Sequence, residues 1–483
     1  MSTCLKISIA TLFLIVLFFS VFYLKESPPF NFDEGWHIQS AANLAETGIE
    51  GLQMAPGYVE HISTYVSIGY PFIYTLALWF KVFGDGILQA KILMVIFLLG
   101  FAVLSFLLAK RLFGNRLASA SLALIALFPP LYGNGKAVMG EVPGMFFMLA
   151  ALLCFNLIKS YPYRKYSFLI LAGFFAGLAI STKVAFVLMA PALLVAVIIE
   201  WKRKLLSVGD VSIICLSALA PIAIWFAVKF QPGDSAVTVL SFYANPSNLN
   251  SMSATVVQNL KILFTDTGPL YTVLLMGVWI SSIFLRWRTK TIIAAEEVAA
   301  LIFSILTIMS FTRTIGFYRY LFPAQVMALI FFPNSLRLLL DCFSDSITFF
   351  KSRVVYATVI FILVFVGLYQ LAFDSYVADS YGSRDLAEME EYFSGIDESV
   401  VFFYNSTGVV PLFKGKDYYQ YLLLFNKEDW VIGEEWLQVL ASGRVDIVVA
   451  GPRSQKDERN GVFDPYIEVR KFGKISILKP IEP

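Results

Sequence analysis

Apolar runs of about 16–23 residues recur through the first three-quarters of this 483-residue chain. Each is close to the ~20 residues that a helix needs to cross the ~30 Å hydrocarbon core of a bilayer. We place such runs at about 7–24, 87–109, 117–131, 142–158, 166–181, 184–200, 211–228, 268–285, 298–312, 320–335 and 354–372. They predict an α-helical polytopic membrane protein with about eleven transmembrane helices. The first run follows a single Lys6 and lacks a small-x-small cleavage site, so a retained span is expected rather than a removed signal peptide. Beyond residue 373 the pattern changes. Arg384–Phe393 has helical periodicity, and Ser399–Tyr404 (SVVFFY) and Val445–Ala450 (VDIVVA) have the β-branched and aromatic character of strands. Two regions follow: a transmembrane domain over 1–373 and a small α/β domain over 374–483. No internal repeat is visible.

Composition excludes a soluble alternative. The chain is 58% hydrophobic and 15% charged, against roughly a quarter charged in soluble domains. The net charge of +2 gives no reason to expect nucleic acid. The four cysteines, Cys4, Cys154, Cys215 and Cys342, fall in or beside apolar runs or on the expected inner side, and imply no disulfide framework.

The distribution of charge orients the chain. With the N-terminus inside, Lys110, Arg111 and Arg116 lie inside. So do Lys159, Arg164 and Lys165, then Lys202, Arg203 and Lys204, then Arg286, Arg288 and Lys290, and finally Arg337, Lys351 and Arg353. The positive-inside rule is then obeyed throughout. Counting Tyr70–Phe83 (YPFIYTLALWFKVF) as a span would break this order, so it is expected as an amphipathic helix in the outer interface. The apolar block from Tyr166 to Glu200 contains Lys183. A lysine at mid-bilayer costs about 2.5–3.5 kcal/mol, and a turn at Ser181-Thr182-Lys183 on the outer surface removes that cost. The outer face thus receives the first loop (25–86, with its interfacial helix), loops at 132–141, 229–267 and 313–319, the turn at Lys183, and the C-terminal domain.

The chemistry-bearing residues gather on that face. The first loop opens Asn31-Phe32-Asp33-Glu34-Gly35-Trp36-His37. Two readings stand side by side. Asn31 can cap a helix with Asp33 and Glu34 in its first turn; alternatively, one acid is a general base and the second orients it or the substrate. Both histidines, His37 and His61, lie in this loop, and Asp33 and His37 are four apart, on one helical face. A divalent metal is therefore a candidate cofactor, with Asp33, Glu141, His37 or His61 as ligands. Glu141 stands at the mouth of an apolar span, either as a boundary charge or as a further acid facing the Asp33 site. Arg313, Tyr318 and Arg319 sit where another span begins. They suit either lipid headgroups or a bound phosphate, with Lys183 as a point charge for the same anion.

Phe32-Asp33-Glu34, Tyr70-Pro71-Phe72-Ile73-Tyr74 through Val82-Phe83-Gly84, Gly140-Glu141-Val142-Pro143, Ser181-Thr182-Lys183 and Tyr318-Arg319-Tyr320-Leu321-Phe322-Pro323 occur in that order over about residues 7–335. In this the chain resembles the GT-C superfamily of membrane glycosyltransferases, in the branch of the protein O-mannosyltransferases and aminoarabinose transferases. The resemblance implies juxtamembrane helices in the first outer loop and a polyprenyl-phosphate-linked sugar donor. It also implies that Asp33, matching the loop acid, deprotonates the acceptor, with inversion at the anomeric carbon. The expected partners are that donor, a lipid, glycan or protein acceptor, and membrane lipids, in a multi-pass cell-membrane protein. One departure stands out. Aminoarabinose-transferase-like members carry a charged residue just before the proline of the interfacial helix, whereas here Ser67-Ile68-Gly69-Tyr70 precedes Pro71. The rival class is a transporter or flippase of lipid-linked sugars. Such proteins tend to show repeats and ionisable groups near the midplane, neither of which is apparent here. A membrane-anchored sensor would leave the loop acids and arginines without a role.

Overall fold

The computed structural model describes residues 3–61, 68–230, 251–314, 316–344, 352–396, 399–422, 432–453 and 455–481. Most of the expected loop at 229–267, together with Ser67, Ile315 and Lys351, lies outside the described residues.

Every expected span falls on a helix. In chain order these are α1 (Thr3–Val21), α2 (Phe32–Thr47), α3 (Tyr70–Phe83), α4 (Ile87–Phe113), α5 (Asn115–Ala126), α6 (Pro129–Lys136), α7 (Glu141–Leu157), α8 (Lys165–Thr182), α9 (Met189–Lys202), α10 (Val208–Lys229), α11 (Met252–Thr265), α12 (Thr267–Arg288), α13 (Ala295–Phe311), α14 (Phe322–Ser344) and α15 (Ser352–Phe373). Among the described residues, eight helices are long and apolar enough to cross a membrane, or nine if α5 and α6 count as one bent span. The expected count of eleven also included α7 and α13, each of 17 residues.

The α5–α6 break corrects one boundary. The run at 117–131 is not one straight span: the chain turns by 66° between Ala126 and Pro129. Pro129 and Pro130 cannot donate to the preceding turn and disfavour helix in the residue before them, so α5 stops and α6 restarts on a new axis. The residues expected as a loop from 132 are therefore helical as far as Lys136. Lys136 is buried and donates to the carbonyl of Phe22 at 2.9 Å, just beyond the end of α1. Its charge is well placed against the negative end of that helix. Lys91, buried on α4, donates to the carbonyl of Lys25 at 2.9 Å in the same connection.

Helices approach closely where small residues allow it. A Cβ on Gly177 of α8 would stand 2.3 Å from the Ala218 carbonyl oxygen of α10, so only glycine permits that crossing. Helix α3 forms with the expected bounds. It buries Phe72, Ile73, Leu76 and Phe80 and exposes Leu78, Val82 and Phe83 on the other side. A hairpin of β1 (Gly51–Ala55) and β2 (Tyr58–His61), not anticipated from sequence, completes the described part of the first loop.

The C-terminal region is a mixed sheet with helices. Helix α16 (Asp385–Ser394) is followed by β3 (Val401–Tyr404), β4 (Tyr418–Tyr421), α17 (Glu434–Ala441), β5 (Ile447–Ala450), β6 (Tyr466–Phe472) and β7 (Ile475–Pro480). The strand order is β4-β3-β5-β7-β6, with β3 parallel to both neighbours and β7 antiparallel to both of its own. Strand β3 is buried on both faces: Phe403 stacks on Phe393 of α16, and Phe402 meets Trp436 of α17. Parallel strands covered in this way read as continuous apolar runs, as VFFY does.

This sheet is docked onto the membrane domain. The Glu26 carboxylate accepts the N–H groups of Leu386 and Ala387 at 3.1 Å each, in the first turn of α16. The 3-10 turn Thr407–Leu412 packs on α2. The contact is tight: a Cβ on Gly35 would stand 2.4 Å from the Thr407 carbonyl oxygen.

Candidate active site

Helix α2 begins with a complete capping box. Asn31 accepts the N–H of Glu34 at 3.1 Å, and Glu34 accepts the N–H of Asn31 at 3.3 Å. The other oxygen of Glu34 accepts the Val138 N–H at 2.9 Å, and His37 Nδ1, one turn on, lies 2.8 Å from the Val138 carbonyl oxygen. The two side chains thus hold both backbone polar groups of one residue, Val138, in the α6–α7 connection. Glu34 is buried with both oxygens engaged by backbone. Asp33, turned about 100° around the helix, remains part-exposed.

Asp33 meets Arg319, whose Nη1 donates to Oδ2 at 2.8 Å. Burial raises the Asp33 carboxyl, but Arg319, His37 and Lys183 outweigh it and hold it below its ordinary value of 3.8. His37 goes the other way. Its burial dominates over Asp33 and Glu141, and its imidazolium is pushed down to about 4.

A second pair lies beside the first. Lys183 follows α8 with extended backbone, held by a bridge to Ile68 and by Gly69 N–H donating to the Thr182 carbonyl at 2.8 Å. The turn forms where expected, but Lys183 is buried and ion-paired with Glu141, the first residue of α7. The Tyr320 ring lies against both cations: the Lys183 ammonium is 5.9 Å and the Arg319 guanidinium 5.5 Å from its centre. Met139 Sδ is 3.6 Å from Arg319 Nη1. Four separated segments thus bring Asp33, Glu141, Lys183 and Arg319 together.

Two polar atoms in this cluster are buried with no hydrogen-bond partner among the described residues: Glu141 Oε2 and Arg319 Nε. One accepts and the other donates. Buried groups of this kind are normally paired.

Other nominated residues lie elsewhere. Tyr318 donates its hydroxyl to Asp266, away from Arg319, and does not join the cluster. Arg313 is exposed on the connection after α13. His61 ends β2. Tyr320 was not nominated. Its only signal was its place next to Arg319, which Tyr318 shares.

The residues do not fit a divalent metal as expected. Among the described residues, no three His, Cys, Asp or Glu side chains are grouped to hold an ion. Asp33 and Glu141 are each paired with a cation, and His37 Nδ1 is committed to Val138. A metal here would have to displace Arg319 and Lys183.

Residues 70–225 match the family model of dolichyl-phosphate-mannose-protein mannosyltransferases. No curated protein sequence matches the chain. Solved structures are similar in fold. ArnT from Cupriavidus metallidurans in the apo state aligns with a TM-score of 0.65 at 12% identity, covering 99% of this chain and 98% of that one. The same protein bound to undecaprenyl phosphate aligns with a TM-score of 0.64 at 12% identity, covering 100% and 99%. The Archaeoglobus fulgidus oligosaccharyltransferase in complex with Zn and sulfate aligns with a TM-score of 0.61 at 14% identity, covering 92% of this chain and 68% of that one. The chain therefore shares the fold of ArnT over nearly the whole length of both chains.

Proposed function

We propose that this protein transfers a sugar from a polyprenyl-phosphate donor to an acceptor on the outer face of the cell membrane, with inversion. The observation that carries the proposal is the Asp33–Arg319 and Glu141–Lys183 cluster with its two orphaned atoms, Arg319 Nε and Glu141 Oε2. A donor phosphate oxygen satisfies Arg319 Nε, and a sugar hydroxyl satisfies Glu141 Oε2. The similar fold of ArnT bound to undecaprenyl phosphate supports this class of donor.

In the resting site Arg319 holds Asp33 ionised. A donor phosphate competes for the guanidinium fork, which suits phosphate oxygens as well as carboxylate. Asp33 is then free to take the proton of the acceptor hydroxyl or amine. The acceptor atom attacks the anomeric carbon from the face opposite the phosphate. The carbon–oxygen bond to phosphate breaks, and the polyprenyl phosphate leaves with the electron pair. Arg319 and Lys183 stabilise the charge that builds on the leaving oxygen. Tyr320 keeps the two cations on one side of the site.

The test is release of polyprenyl phosphate by the purified protein from a panel of polyprenyl-phosphate sugars. Arg319→Ala is expected to weaken donor use by about a hundredfold, and Arg319→Lys by less, since lysine keeps charge without the fork. Normal donor kinetics in Arg319→Ala would leave that arginine as a headgroup anchor. Movement of an intact donor across vesicles without bond cleavage would make the protein a flippase.

A further inference from the structure

Arg319 is carried by the 3-10 turn Tyr318–Leu321, between α13 and α14. Helix α11 seats that turn. Its 14 residues bury Asn259 and Leu263, which are four apart and share one helical face. Val257, Leu260 and Phe264 are exposed.

Asn259 is 3% exposed. Its Nδ2 lies 2.7 Å from the Thr314 carbonyl oxygen, 3.2 Å from that of Thr312 and 3.3 Å from that of Phe311. Two N–H donors are thus shared among three carbonyls at and just beyond the end of α13, where helical partners run out. The Oδ1 atom of the same amide backs onto Gly316, whose backbone takes φ +78°. A Cβ there would stand 2.8 Å from Oδ1, so both space and backbone call for glycine. Leu263 packs with Phe311 and Leu321 in a small apolar cluster apart from the main core. Helix α11 therefore holds the chain before Arg319 through Asn259 and after it through Leu263. An apolar residue at 259 could seat α11 equally well. What the amide adds is direction, because its hydrogen bonds fix the path of the backbone. From that base the Arg319 side chain reaches Asp33 at 2.8 Å, flanked by the rings of Phe317 at 5.3 Å and Tyr320 at 5.5 Å.

We propose that Asn259 is a positioning residue for Arg319, holding the end of α13 so that the guanidinium is aimed at the donor phosphate. This rests on Arg319 as the group that grips that phosphate. Among the described residues Asn259 makes no hydrogen bond to Asp33, Glu141, Lys183 or Arg319, so it acts through the turn.

The test is a double-mutant cycle with Arg319 in the full-length protein in detergent. It is read as release of polyprenyl phosphate from the polyprenyl-phosphate sugar that wild type cleaves fastest. Asn259→Leu keeps the side chain's size and bonds nothing. It should lower kcat/KM for the donor about tenfold, since a displacement of about 1 Å can cost up to ~10²-fold. In the Arg319→Ala background it should change nothing, because no guanidinium is left to misplace. Equal losses in both backgrounds overturn the proposal and leave Asn259 a stability residue; a wild-type kcat/KM in Asn259→Leu overturns it too. Hydrogen exchange separates this from failure of the transferase reading. The amides of Arg313, Thr314 and Tyr320 donate to the carbonyls of Ser310, Phe311 and Phe317. In Asn259→Leu they should exchange about tenfold faster than in wild type. Unchanged exchange overturns the proposal whatever the activity. If wild type releases no polyprenyl phosphate, the transferase reading falls, and exchange alone decides whether Asn259 holds the turn. If Asn259→Leu does not fold, Asn259→Ser, which keeps one donor, replaces it in both arms. Gln258→Ala, an exposed change on the same helix, should match wild type in both arms, and a loss there as large as in Asn259→Leu overturns the assignment to Asn259.

Discussion

Two clusters of basic and acidic side chains in this protein differ in how completely they are paired. At the far end of the bundle Arg286 holds both oxygens of Glu297, Trp279 adds a further donor, and the pair is nearly sealed from solvent. At the near end Arg319, Asp33, Glu141 and Lys183 form two pairs, yet Glu141 Oε2 and Arg319 Nε are buried without partners. Burying a polar atom unpaired costs roughly 1–3 kcal/mol. A scaffold gains nothing from that cost, whereas a site that receives a polar ligand recovers it on binding. The two clusters also differ in exposure, because the Asp33–Arg319 pair is partly open to solvent and the Arg286–Glu297 pair is not.

The sharpest way to break the comparison is at Asp33. Asp33→Asn is expected to leave the protein folded and lower turnover about 10²–10⁴-fold, the contribution of a positioned general base. Asparagine keeps the shape and a hydrogen bond but cannot accept the proton. The pH profile gives an independent check. Asp33 lies below its ordinary value of 3.8 because Arg319, His37 and Lys183 outweigh burial. The acid limb of kcat/KM should therefore fall below that value, and Arg319→Ala should move it upward, since burial then acts with less opposition. Near-normal turnover in Asp33→Asn alongside a dead Glu141→Gln would transfer the base to Glu141.

The sealed pair predicts a stability effect without a kinetic one. Glu297→Gln leaves Arg286 charged and buried, and is expected to cost about 3–5 kcal/mol. Its kcat/KM, measured on the protein that remains folded, should match wild type. A donor KM that rises with Glu297→Gln would mean that the far end of the bundle is coupled to the site.

His37 belongs to the scaffold despite standing among the site acids. Its folded pKa, about 4, is below its ordinary 6.5. Between those values the unfolded chain binds a proton that the folded chain refuses, so stability falls as pH drops from 6.5 to 4. The full window is worth about 3 kcal/mol. The thermal midpoint should decline over that range in wild type and less steeply in His37→Gln, which can still donate to the Val138 carbonyl. Identical slopes would remove His37 from the account of acid sensitivity.

Much of this was legible in the sequence, and the gaps have physical causes. The apolar runs fell on helices, one of them on the bent pair α5–α6, because length and hydropathy are averaged over about twenty residues. The α5–α6 break was missed because the prolines stood inside a run that was still apolar. Asp33, Glu141, Lys183 and Arg319 stood out because few charges border the spans. The place of Glu34 in a capping box was harder to read, because adjacent acids at a helix start satisfy two patterns at once. The Asn31-to-Glu34 spacing of a capping box was the available discriminator. The hairpin of β1 and β2 turns at Gly57, with φ +71°, and that of β6 and β7 at Gly473, with φ +56°. Both glycines were readable turn signals between short strands. The docking of the C-terminal sheet on α2 was beyond reach, because Gly35 against Thr407 is a contact between residues nearly four hundred positions apart.

The smallest expected effect is at Tyr318, the nominated residue that the fold turns away. Tyr318 and Tyr320 flank Arg319 in one 3-10 turn, Tyr318–Leu321, where each residue advances the side chain by about 120°. Only one tyrosine can share a side with Lys183 and Arg319. Tyr320 takes that position, and Tyr318 donates its hydroxyl to Asp266 at an exposed surface. Removing this exposed hydrogen bond leaves no group buried and unpaired. Tyr318→Phe should therefore leave turnover and donor KM within about twofold of wild type and shift the melting midpoint little. Tyr320→Leu is the matched comparison. It removes the aromatic face from both cations, a contact worth about 0.5–2 kcal/mol, and should raise donor KM several-fold. If Tyr318→Phe proves the more damaging of the two, the hydroxyl bonded to Asp266 takes part in donor binding, and the boundary drawn between site and scaffold on this turn is misplaced.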